Sequence, residues 1–444
     1  MAPAVRPGPP LLAATVATGV ALAATAPWPG GAGLFAALAL VQAGLAFAFV
    51  VPALRRGLPG GGRGLAFLLA AAALVRAPLL LAPPTLSDDV HRYVVDGRLW
   101  SAGVDAWRTP PVATPLAHGL PVNHPHLATI YPPFAEAVFT AIAAPGGGER
   151  AFRAFFALCD LATVAILARW LRRVGRGPWA AAAFALHPLA ALESAGSGHA
   201  EALALLLLAL AFDRAAAGRR GASVLAFAAA AGVKPLALLA APFLARTWGR
   251  GRTVVALGLA FVQYGVLAVA SLGAGEASGL AAYVATWRHN DLLFGGLLAA
   301  GLSVGAAKTW GVVFVLGLAA VLAARRMTPW SGYAWTAAAW LLLSPVLHPW
   351  YVLGLLVALP VLDETGPRAT TGALAALVLL TYVVPGGDTP GFRVLPWEVR
   401  VWELAPVIAV LIAEALWIGI AARRRALLAR GGERWSGSRS ARGT

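Results

Sequence analysis

The hydrophobic positions of this chain run in long blocks and do not alternate. Apolar stretches fill 11–26, 33–54, 64–82, 151–171, 179–192, 200–212, 253–272, 309–324, 333–343, 351–362, 370–384 and 401–422. A bilayer core takes roughly 20 apolar residues of helix, so the pattern predicts an all-α polytopic bundle of about twelve spans, several of them short. No stretch shows the period of two that a half-buried strand needs, and no internal repeat is visible. Two segments break simple alternation. Residues 131–145 end at Gly146-Gly147-Gly148 and read as a short helix resting at the outer interface. Residues 223–245 are long enough to cross, yet arginines flank both ends. A re-entrant hairpin turning at 232–235 keeps every basic loop on one side; backbone of that kind is tolerated only inside protein or beside a cavity.

Composition agrees with the pattern. The chain is 59% hydrophobic and 12% charged, which excludes a soluble domain. Its net charge of +16 raises nucleic acid as a partner, but the charge sits in loops. Arg55, Arg56 and Arg63, Arg169 to Arg176, Arg214 to Arg220, Arg246 to Arg252, Arg325 and Arg326, and the tail from Arg423 all separate apolar blocks. Arginine-rich loops face the cytoplasm, so this charge sets orientation and no nucleic-acid partner is expected. The 83–130 connection then falls outside, as do the links at 187–199, 274–291, 344–350 and 385–400. One membrane domain over 1–422 is expected, with 83–150 as a large extracytoplasmic loop carrying amphipathic helices. Residues 423–444 are expected to form a basic, disordered cytoplasmic tail. Ala24-Thr25-Ala26 resembles a signal-peptidase site, but only Arg6 precedes the apolar run, and it reads as a retained span. The single cysteine, Cys159, excludes an internal disulfide framework, and nothing reads as a metal-ligand cluster. Abundant Ala and Gly, with Lys234 and Lys308 as the only lysines, suggest a GC-rich bacterial genome and hence a bacterial cytoplasmic membrane.

With this orientation all 8 histidines lie on the outer face or at outer helix ends, together with most acidic residues. That bias points to a polar site outside. Its densest element is SDDVHRYVVDGRLWSAGVDAW, residues 87–107. Ser87 suits a helix N-cap, and Asp88 and Asp89 suit the first turn, where the helix dipole favours anions. Asp89, Arg92 and Asp96 share one face, with Tyr93 one turn from Asp89. Two readings stand side by side: a capping pair on an interfacial helix, or carboxylates aimed into a cavity. VNHPHLATIYPPFAEAVF at 122–139 reads first as a proline-stiffened loop. RHNDLLF at 288–294, HPLAALESAGSGHAEAL at 187–203 and SPVLHPWY at 344–351 each place histidine at an outer loop or helix end. Arg76, Asp160 and Lys234 fall within apolar blocks, where an ionisable group costs at least ~2.5–3.5 kcal/mol and needs a partner or a function. Arg76 has the option of snorkelling outward. Asp160 has the option of pairing with a basic neighbour, and Lys234 of meeting a lipid phosphate.

The order of these motifs resembles the GT-C superfamily of membrane glycosyltransferases, in particular the bacterial polyprenol-phosphate-mannose-dependent mannosyltransferases. The likeness rests on Asp89 with Tyr93, Tyr131-Pro132-Pro133, Asp160, the His187-to-His199 link, Val233-Lys234-Pro235 and Arg288-His289-Asn290. It covers most of the chain from Arg76 to Trp350; a strict Asp-x-Asp is absent. The resemblance implies a GT-C-like bundle and an inverting transferase that moves a sugar, most simply mannose, from polyprenyl phosphate to an extracytoplasmic glycolipid or glycan. Asp89, with Asp88 in reserve, is then the base. Arg76, Arg92, Tyr93, Asp96, His199, Lys234, Arg288, His289 and His348 are candidates to hold phosphate or substrate, and no cofactor or metal is implied. The rival from another class is a flippase or transporter of lipid-linked sugars, which more often shows repeats and a midplane site.

Overall fold

The computed structural model describes residues 62–84, 86–383 and 395–440, with side chains to 423, and a few isolated positions before residue 45. All but those isolated positions of the first two predicted spans, the signal-like site and most of the 385–400 link lie outside the described residues. Described residues with regular structure are helical, with no strand among them. We number the main helices α1 (Gly62–Leu81), α2 (Asp89–Ser101), α3 (Pro133–Ala143), α4 (Glu149–Arg173), α5 (Glu201–Ala216), α6 (Arg220–Ala231), α7 (Ala241–Trp248), α8 (Arg250–Leu272), α9 (Gly279–Thr286), α10 (Leu292–Ala299), α11 (Val304–Ala324), α12 (Pro329–Leu343), α13 (Pro349–Leu356), α14 (Arg368–Leu377) and α15 (Trp397–Ser440).

Five of these are long and apolar enough to cross a membrane: α1, α4, α8, α11 and α15 over Trp397–Arg423. A sixth arises if Pro188–Gly196 and α5, bent by 119°, count as one. The other predicted blocks are shorter or broken, and several of the breaks fall at prolines. The 179–192 block becomes a 3₁₀ turn at Pro178–Ala181, two helical turns at Ala182–Ala185 and Pro188–Ala191, and a π turn at Leu192–Gly196. A proline lacks the amide donor that would continue the ladder. The 223–245 segment breaks where Gly232 and Pro235 stand: α6 ends at Ala231, a 3₁₀ turn covers Pro235–Ala240, and α7 follows.

The amphipathic α2 is packed against protein along most of its length. Nine of its 13 residues are buried, polar ones included. The cause is Gly97: a Cβ there would stand 2.4 Å from the Phe139 carbonyl oxygen, so only glycine lets α2 and α3 approach this closely. Tyr93 stacks on Phe139 with centroids 4.6 Å apart and meets Phe156 edge-on at 6.0 Å. An aromatic core of α2, α3 and α4 therefore fixes the start of α2 from below. Arg76 does not snorkel. It pairs with Asp160 at 2.5 Å, with both side chains 2% exposed, and donates to the carbonyls of Ala72 and Ala185. Ser194 also donates to Asp160, at 2.9 Å, so this buried pair locks α1, α4 and the π turn together. Arg153 adds hydrogen bonds to the carbonyls of Ala195 and Leu79.

Candidate active site

The N-terminus of α2 opens into a cavity of about 730 Å³. Asp88, Asp89 and Arg92 line it from α2, Asn123 and His124 from the following loop, Lys234 from the α6 break, and Trp287, His348, Trp350 and Tyr351 from the second half of the chain. A second, largely apolar cavity of about 1130 Å³ adjoins it, walled by leucines and aromatic rings of α5, α8, α9 and α12. Ile130, Tyr131, Lys234 and Tyr351 line both.

The carboxylates are placed by local chemistry. Asp88 occupies the N-cap position but makes no side-chain cap bond. The Asn123 amide instead donates to Asp88 at 2.9 Å and to Asp89 at 2.5 Å, and Ser87 Oγ accepts from the Asp89 amide at 3.3 Å. Burial away from water, reinforced by the neighbouring Asp88 charge and opposed by Lys234, Asn123 and Arg92, pushes the Asp89 carboxyl up to about 6. Burial also raises that of Asp88, against its bond to Asn123. Two adjacent carboxylates with partial water access, both raised above the ordinary carboxyl value and Asp89 to about 6, are suited to accept a proton. Lys234 sits in extended backbone between α6 and the 3₁₀ turn. Its Nζ lies 2.9 Å from Glu201 Oε1 and 5.0 Å from the Tyr131 ring centroid. The chain thus holds one cation against one buried acid and an aromatic face, at the seam between the polar and apolar cavities.

The predicted residues divide by location. Asp88, Asp89, Arg92, Lys234 and His348 share the polar cavity. Arg92 is also tied to Asp96 at 3.1 Å and to the Leu127 carbonyl at 2.5 Å. Tyr93 and Asp96 face the interior: Tyr93 accepts from the Tyr131 hydroxyl at 3.3 Å, and Asp96 is 0% exposed. His199 approaches Asp89 from behind, Nδ1 to Oδ2 3.6 Å, without lining the cavity. His289 stacks on His348 at 4.4 Å, His348 on Trp350 at 4.3 Å, and Trp350 on His199 at 4.0 Å. Arg288 pairs with Asp291 at 2.7 Å, which Arg400 also holds at 2.6 Å; its neighbour Trp287 reaches the cavity instead. Arg76 lies with Asp160, apart from either cavity. Asn123, Glu193, Glu201, Trp350 and Tyr351 were not singled out from the sequence. Glu201 had a usable signal, since it opens an apolar helix just as Asp160 and Lys234 interrupt apolar blocks.

Residues 11–250 match the family model described as alpha-(1->6)-mannopyranosyltransferase, N-terminal domain. The chain belongs to this mannosyltransferase family. No curated protein and no solved structure matches it. The mannosyltransferase match includes Asp88, Asp89, Asn123, Glu193, His199, Glu201 and Lys234; Trp287, His348, Trp350 and Tyr351 lie beyond it. This is therefore a glycosyltransferase, an all-helical membrane protein that handles a sugar donor and an acceptor.

Proposed function

We propose that the mannosyltransferase moves mannose from a polyprenyl-phosphate donor to a hydroxyl of a glycolipid or glycan on the extracytoplasmic side of a bacterial cytoplasmic membrane, with inversion. The observation that carries this reading is Lys234, which lines the polar cavity beside Asp88 and Asp89 and the apolar cavity behind it. A lipid monophosphate has that shape of requirement: an anion at the seam, its hydrocarbon on the apolar side, its sugar on the carboxylate side. Asp89 takes the proton of the acceptor hydroxyl as the acceptor oxygen bonds to the anomeric carbon. The bond from that carbon to the phosphate oxygen breaks, and its electron pair leaves with the phosphate, whose charge Lys234 balances. Inversion with an α product requires a β-linked donor. Arginine-rich loops on the opposite side support the outward placement of the site. The same loops support a GT-C-like bundle of about twelve spans in which α6 and α7 form a re-entrant hairpin.

The test is direct. Purified protein in proteoliposomes is given polyprenyl-phosphate mannose or a nucleotide-diphosphate mannose, with an α-mannoside acceptor. Product is expected from the lipid donor alone. Equal turnover of the nucleotide sugar would sink the donor assignment.

A further inference from the structure

Behind Asp89 lies a buried pair that the reaction as written does not use. His199 and Glu193 are each 0% exposed. His199 Nδ1 faces Asp89 Oδ2 at 3.6 Å, and its Nε2 faces Glu193 Oε2 at 3.4 Å. Neither ring nitrogen has a hydrogen-bond partner among the described residues, nor has Glu193 Oε2. The Tyr382 hydroxyl donates to the other oxygen of Glu193. The backbone builds this arrangement on purpose-made geometry. The π turn Leu192–Gly196 brings Glu193 inward, and the His199 amide donates back to the Glu193 carbonyl at 2.8 Å. Gly198 takes φ +74, and a Cβ on it would stand 2.7 Å from Arg153 Cγ, so the tight turn admits only glycine. The Trp350 ring closes the flat face of His199 at 4.0 Å.

We infer that His199 and Glu193 are positioning residues for the base: Glu193, as a carboxylic acid, donates from Oε2 to Nε2, so the single hydrogen of the neutral imidazole stays on Nδ1, aimed at Asp89, where it orients the carboxylate and favours its ionised form. The inference rests on Asp89 as base. An imidazole nitrogen is set by the partner of the other nitrogen, so a carboxyl group on Nε2 governs what Nδ1 offers. An Asp89 oxygen engaged by His199 leaves the other, shared with Asn123, toward the cavity. The charged neighbours of the group are Asp88 and Arg92 on α2, Lys234 from the α6 break, and Glu201 on α5; Tyr382 faces Glu193.

The experiment compares His199→Leu, His199→Asn, Glu193→Ala and Glu193→Gln in the full-length membrane protein, with Asp89→Asn alongside. Turnover and donor KM are measured across pH. The Leu and Ala variants are expected to lose about tenfold or more in kcat with donor KM within about twofold. Their acid limb should move up by about one pH unit, because the hydrogen that favours ionised Asp89 is gone. Asn and Gln, which keep an amide at the right reach, should recover most of the loss. An acid limb that stays in place in Glu193→Ala overturns the inference, as does a loss carried wholly by KM. Should His199→Leu not fold, Glu193→Ala decides alone. Wild-type turnover in Asp89→Asn would remove the base itself and with it this proposal. An inactive Asp89→Asn beside an unmoved acid limb in Glu193→Ala removes only the positioning role.

Discussion

At the scale of single residues, the acidity of Asp89, the proposed base, gives two separate expectations. Asp89→Asn preserves size and most hydrogen bonding but takes no proton, so turnover should fall about 10²–10⁴-fold while donor still binds. Asp88→Asn should lose less; the reverse order would transfer the role to Asp88. Because the Asp89 carboxyl is lifted to about 6, kcat should decline as pH falls through that value and level off above it. The sign for stability is opposite. A carboxyl whose folded value lies above its unfolded one favours the protonated state, so what it adds to stability at low pH is lost as pH rises through about 6. Asp89→Asn should therefore melt no lower than the wild type at neutral pH, and a marked drop would mean that the side chain holds the fold. Charge placement made Asp88, Asp89 and Lys234 legible in the sequence, since ionisable groups in an apolar chain stand out. Asn123 did not stand out: its neutral amide lies 34 residues from Asp89 in an irregular loop, where no periodicity reports direction.

Among helices, the sequence shows where elements lie better than what surrounds them. Apolar blocks located α1, α4, α8 and α11 to within a few residues, and glycine and proline marked the break after α6. The polar face of α2 reads in the sequence as aimed into a cavity or as that of an interfacial helix; Asp89 and Arg92 do line a cavity, whereas Asp96 is buried. Gly97 brings α3 close to the middle of α2, where Asp96 is buried and meets Arg92. This contact makes Gly97→Ala costly, since backbone and not a flexible side chain blocks the new methyl; about 1–3 kcal/mol of stability should be lost, read by denaturation in detergent. Arg76 and Asp160 give the complementary case. Arg76→Met leaves a buried carboxylate without its cation and should cost about 3–5 kcal/mol, whereas adding Asp160→Leu should restore most of it. A double variant no more stable than the single would show that the pair matters for more than its charges.

For the whole molecule, the distribution of arginines predicts orientation, and the chain is already suited to checking it. Its only cysteine, Cys159, is 5% exposed and should be silent toward an impermeant thiol reagent. Cysteines placed at Gly218 and Ala245 should both label from the cytoplasmic side. Labelling of Ala245 from outside would overturn the hairpin reading of α6 and α7. The path from sequence to cavity was harder to see at this scale, because the walls come from segments as distant as Ser87 and Tyr351. Helical periodicity tells which residues share a face of one helix, but not which faces of different helices meet.

One consequence of the apolar chamber behind Lys234 concerns how the proposed lipid donor would be measured. For short, water-dispersed analogues of the proposed lipid donor, hydrocarbon laid along Leu205, Leu208, Leu267 and Trp340 leaves water carbon by carbon, each worth about 0.8 kcal/mol. Lipid length then acts as a ruler. Water-dispersed analogues shorter than the chamber should weaken by about tenfold for every two carbons withdrawn. Once the chamber is full, additional isoprenoid should add nothing, since it trades one greasy surrounding for another. The chain length at which affinity stops rising would report the depth of the chamber in carbon atoms.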